Sequence, residues 1–135
     1  MKKRIIIAMT VILSVLLLAS CSSSDASVLP SIDDIKYVKI TQDDQVIEKT
    51  DAEWVSGLLE KIKETGLQKT NSEEKLPETE DYTTLEFIFD DEDINVAYIY
   101  QSEGTWYLEL PYQGIFIIDG TVGAYVTEVF TETVQ

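Results

Sequence analysis

The chain has 135 residues, with 10 Lys and Arg against 25 Asp and Glu, a formal charge of −15, one cysteine and no histidine. A surface this acidic is repelled by nucleic-acid phosphates and anionic headgroups, which excludes nucleic-acid binding. Without histidine, the usual zinc, haem and Cys- or Ser-His catalytic arrangements are missing. With one cysteine no intramolecular disulfide forms, so the fold rests on core packing.

In chain order, Lys2, Lys3 and Arg4 precede an apolar run over 5–18 that is interrupted only by Thr10 and Ser14. The run is short for a membrane span and reads as a secretion signal. It ends in Leu18-Ala19-Ser20-Cys21, which resembles the lipobox of bacterial lipoproteins. The resemblance implies cleavage by signal peptidase II before Cys21 and a diacylglycerol on its sulfur. It also implies a protein lipid-anchored on the outer side of the cell membrane. Two acyl chains make a stable anchor where one does not. The alternative is an ordinary secreted protein cut after Ser20. Ser22 in place of Asp gives no inner-membrane retention signal, and the Ile-, Lys-, Asp- and Glu-rich composition has a low-GC Gram-positive flavour. The expected organisation is a signal peptide over 1–20, a lipidated cysteine and tether over 21–30, and one domain over 31–135. After cleavage, 7 basic residues face 25 acidic ones, a charge of −18. Solubility accounts for that charge most simply, and a basic partner would be attracted to it.

Ile35–Ile40 reads as a first strand, Asp43-Asp44 as a turn and Val46–Lys49 as a returning strand. Thr50 and Glu53 form a T-x-x-E capping box ahead of a helix. Its apolar stripe is Trp54, Val55, Leu58, Leu59 and Ile62, and Gly66 is placed for a left-handed C-terminus. Trp54 is read as a core residue. Residues 67–81 are expected to be a loop, near the length limit for a structureless connection. Four strand-like runs follow at 83–90, 94–100, 105–110 and 115–119, separated by turn-forming segments. Residues 121–131 are expected to form a short helix, with Val122, Tyr125, Val126 and Val129 at helical spacing and Asp119 or Thr121 as cap, although the β-branched content argues for strand.

Paired carboxylates are the remaining catalytic chemistry, and Glu86 and Glu109 sit on strands where they can share a face. Among 25 acidic residues such pairs arise by chance, so no catalytic residue is assigned. Asp91-x-Asp93-x-Asn95 begins like a calcium loop, but Val96 stands at its sixth position and Ser102 at its twelfth. It is read as a hairpin turn, and neither metal nor cofactor is expected.

Tyr98-Ile99-Tyr100, followed by Trp106 to Phe116, resembles a family of small uncharacterised lipoproteins of Gram-positive bacteria. Tyr107, Glu109, Pro111, Tyr112, Gly114 and Ile115 match its "Y-x-E-x-P-Y-x-G-I-Y"-like run, and Phe116 replaces the last tyrosine. The resemblance implies an α+β fold and no known activity. From the residues themselves the expectation is likewise α+β: an antiparallel four-stranded meander plus an N-terminal hairpin, with one or two helices packed on one face. Tyr98, Tyr100 and Trp106 are read first as inward-facing, and Tyr107 and Tyr112 as candidate partner-binding residues. The expected function is a non-enzymatic, lipid-anchored module that binds a protein or peptide. The alternative is a small-ligand or cation-binding accessory of an envelope transport or sensing system.

Overall fold

The computed structural model describes residues 28–70 and 80–133. Leu18, Ala19, Ser20, Cys21 and most of the expected loop lie outside the described residues. A turn of 3₁₀ helix (Ile32–Asp34) leads into β1 (Ile35–Gln42) and β2 (Gln45–Lys49). Then come α1 (Ala52–Glu64), β3 (Gln68–Lys69), β4 (Tyr82–Phe89), β5 (Ile94–Ser102), β6 (Thr105–Leu110), β7 (Gly114–Ile118) and α2 (Gly120–Glu132). The class is α+β, as expected.

The sheet is larger than the expected meander with its hairpin. Seven strands form one antiparallel sheet in the order β2-β1-β4-β5-β6-β7-β3. The hairpin joins through β1, which pairs with β4 from Ile35↔Phe89 to Gln42↔Thr83. At the far edge, Gln68↔Ile117 and Lys69↔Phe116 add a two-residue strand inside the expected loop. A polar dipeptide shows no alternation, so only long-range backbone pairing makes it a strand. The Thr70 N–H extends that pairing by donating to the Ile115 carbonyl at 2.8 Å.

Both helices pack on one face. Val38, Ile40, Leu85, Phe87, Ala97, Ile99, Leu108, Phe116 and Ile118 point into a core closed by Leu58 and Ile62 of α1 and Val122 and Val126 of α2. At about 25 cal/mol per Å² of apolar surface, each of these side chains apart from the small Ala97 contributes on the order of 2 kcal/mol.

The start of α1 differs from expectation by one residue. Asp51 is the N-cap, and its carboxylate accepts from the Glu53 N–H at 3.0 Å, so the capping box on Thr50 does not form. Asp outranks Thr as a cap, and the two residues are adjacent. At the C-terminus Gly66 takes φ 76° and donates to the Lys63 carbonyl at 3.1 Å, as the sequence required. Asp119 caps α2 by accepting from the Thr121 N–H at 2.8 Å. The helices meet where Trp54 and Tyr125 stack at 5.2 Å and the Tyr125 hydroxyl donates to the Trp54 carbonyl at 3.1 Å. Trp54 is therefore a packing residue.

Candidate functional site

Register assigns every strand residue to a face, and the face away from the helices is the tyrosine-bearing one. Tyr82 lies opposite Tyr100, Tyr100 opposite Tyr107, and Tyr107 opposite Ile117. These four form a single row across β4, β5, β6 and β7, about 14 Å long at the usual strand spacing. Tyr100 and Tyr107 stack at 5.5 Å with 25° between ring planes. Tyr98, one step along β5, meets the edge of Tyr82 at 5.6 Å. Such pairs hold the rings upright at about 0.5–1.5 kcal/mol each. No described helix lies over this face.

This corrects one expectation. Trp106 faces the helices, with its ring against Gly120 and Gly123 of α2. Tyr98 and Tyr100 point the other way. The physical reason is that β5 is apolar on both faces. Ala97 and Ile99 are buried under the helices, while Val96, Tyr98 and Tyr100 are half-buried on the opposite face.

The two candidate partner-binding residues are not brought together. Tyr107 stands in the row near one end of the sheet. Tyr112 sits at the opposite end, on the β6–β7 turn, 92% exposed and at φ 66°. It borders a cavity of about 280 Å³ that also takes in Tyr98, Pro111 and Ile94.

Among the acidic candidates, Glu86 and Glu109 do share the tyrosine face, because they pair with Val96 and Tyr98 of one strand. Glu86 is ion-paired with Lys39 at 2.6 Å, and Glu109 is buried beside Tyr98. The hydrogen bond to Glu86 holds the Lys39 ammonium above its ordinary pKa. Asp119 is the cap of α2, and the Thr121 backbone N–H holds its carboxyl below the usual carboxylate value. Burial pushes the Tyr125 hydroxyl up, with Asp51 and Glu128 adding to the effect. The Asp91 carboxylate accepts from the Asp93 N–H at 3.2 Å, which closes the β4–β5 turn. Among the described residues no three acidic, histidine or cysteine side chains converge to hold a metal, and no helix is long and apolar enough to cross a membrane.

No curated protein matches the chain. The NMR structure of a protein from Ruminococcus gnavus is similar in fold, with a TM-score of 0.56 at 22% identity over 67% of this chain and 88% of that one. The family model of DUF5301, described as "Domain of unknown function (DUF5300)", matches residues 23–117, from just after the lipobox-like segment through most of β7. The chain therefore belongs to the DUF5301 family.

Proposed function

We propose that this chain is a non-enzymatic module, lipid-anchored through Cys21 on the outer side of the cell membrane, that binds a protein or peptide on its tyrosine-bearing sheet face. The observation that carries the reading is the Tyr82–Tyr100–Tyr107 row on the side away from both helices. Tyrosine supplies large amphipathic contact area with few rotatable bonds, which is why it is enriched where proteins meet. A partner laid across the row covers apolar ring surface and accepts from or donates to the hydroxyls.

The test is a crosslinking pull-down of the tagged full chain from intact cells, beside a Tyr100→Ala/Tyr107→Ala variant, at physiological and at high salt. The expected result is one partner that persists at high salt and disappears in the variant. Only salt-sensitive basic proteins, equal in both samples, would overturn the reading. The anchor has its own test: Cys21→Ala should lose incorporation of labelled palmitate and leave the membrane fraction.

A second reading, a small-ligand or cation-binding accessory of an envelope transport or sensing system, is favoured by the cavity beside Tyr112.

A further inference from the structure

We propose that the notch at the end of β6 docks an extended basic peptide segment, seating one apolar side chain beside Tyr112 and an adjacent Lys or Arg on Asp91 and Asp93. The inference rests on the binding-module reading but uses a site at the other end of β5 from the tyrosine row.

The notch arises from strands of unequal length. β6 pairs with β5 from Ser102↔Thr105 as far as Tyr98↔Glu109, while β5 runs on to Ile94. Continued register would set Pro111 opposite Val96, and proline has no N–H to continue a ladder. The chain turns away there, with the Gln113 N–H closing the turn onto the Leu110 carbonyl at 3.0 Å. The space left is about 280 Å³, bounded by Val28, Pro30, Ile94, Val96, Pro111 and Tyr112. That volume is just below the usual range for pockets that enclose a whole small ligand, and it has room for one large apolar side chain. Ile94 is 53% exposed and Tyr112 is 92% exposed, so the seat has apolar surface still to cover.

Charge decides what kind of segment fits. A second cavity, of about 430 Å³, meets the first at Asn95 and is lined by Asp34, Asp90, Asp91 and Asp93. The lysines that form ion pairs engage other carboxylates, Lys39 with Glu86 and Lys49 with Glu132. An apolar seat with an acidic shoulder is complementary to an apolar residue flanked by lysine or arginine. The chain's overall −15 steers such a segment toward it. An extended segment also suits the strand edge beside Ile94 and Val96, where it can add backbone hydrogen bonds.

The probe is a rhodamine-labelled Gly-Lys-Phe-Lys-Gly peptide, titrated by anisotropy with the full chain in non-ionic detergent. Its partners are the same peptide with Phe replaced by Ser and with both Lys replaced by Glu. Tyr112→Gly and Ile94→Ser are expected to weaken binding about tenfold while leaving the fold intact, because both side chains are largely exposed. Asp91→Asn/Asp93→Asn should weaken it several-fold and flatten its salt dependence. The Ser and Glu peptides should both bind at least tenfold more weakly than the parent. No binding up to millimolar protein overturns the proposal, as does equal binding of the Ser peptide, which would mean charge alone. A response to Tyr100→Ala/Tyr107→Ala but not to Tyr112→Gly would overturn this site and leave the binding-module reading standing. Tighter binding of an uncharged Phe peptide would make the cavity an apolar-ligand site and overturn the basic-segment assignment.

Discussion

At the scale of single residues, two positions separate backbone from packing effects. Gly123 lies inside α2, where alanine ordinarily gains about 1 kcal/mol over glycine. A Cβ there would stand 2.5 Å from Cε3 and Cζ3 of Trp106, and the rigid ring cannot bend aside. Overpacking of this kind costs about 1–3 kcal/mol, so the steric effect outweighs propensity. Gly123→Ala is expected to lose about 1 kcal/mol in urea unfolding, and adding Trp106→Leu should recover most of the loss. A stabilised single variant would mean that the ring can move. Tyr112 has the opposite balance. At φ 66° an L-residue is strained by about 1–2 kcal/mol, and its exposed ring has little packing to lose. Tyr112→Gly is expected to raise stability by up to about 1 kcal/mol after glycine's own entropy cost. This makes any loss of peptide binding by that variant a property of the site.

At the scale of elements, the start of α1 gives a direct comparison between two neighbouring caps. The Asp51 carboxylate accepts from the Glu53 N–H, whereas Thr50 precedes the cap. Asp51→Ala should cost about 1 kcal/mol in urea unfolding, and Thr50→Ala only a few tenths. The reverse order would restore the capping box on Thr50. The one-residue difference shows what was legible in the sequence. Periodicity placed α1, favoured a helix for α2 against its β-branched composition, and placed β4 to β7 to within two residues at every end. Sequence signals named Asp119 among the caps of α2 and Gly66 as the left-handed exit of α1. They did not place β3, since Gln68 and Lys69 carry no strand pattern and gain their pairing from a segment about fifty residues away. They also left the orientation of β5 open. Ala97 and Ile99 alternate with Val96, Tyr98 and Tyr100, so both faces read as apolar and only helix packing breaks the tie. The tyrosine row was hidden for the same reason. Its members stand at unrelated spacings in sequence and align only through register.

At the scale of the whole molecule, charge and local contacts oppose each other as pH changes. Twenty-five carboxylates against ten basic groups repel one another in the compact state. As pH falls from about 8 toward 5, any protons the compact state takes up in excess of the unfolded chain relieve part of that repulsion. The two shifted groups act at the edges of this window. Asp119 has a depressed folded pKa, so its stabilisation is present above the ordinary value of 3.8 and is lost as pH falls through the folded value. Lys39 has a raised folded pKa, so its stabilisation is present below 10.5 and is lost as pH rises through the folded value. Neither loss falls between about pH 5 and 8, so repulsion governs the slope there. Thermal melts should therefore show Tm rising as pH drops from about 8 to 5, then falling on the acid side as the cap of α2 is protonated. In 1 M salt the Debye length is about 3 Å and the rise should flatten, because distant like charges no longer interact. Asp119→Asn keeps a side-chain acceptor at the cap but does not titrate, so it should make the acid limb shallower while leaving the neutral-pH Tm nearly unchanged. An acid limb unchanged in Asp119→Asn would move the cause away from this cap to the remaining carboxylates. A Tm that falls steadily from pH 8 to 5 would show that local ion pairs, and not net repulsion, dominate the molecule.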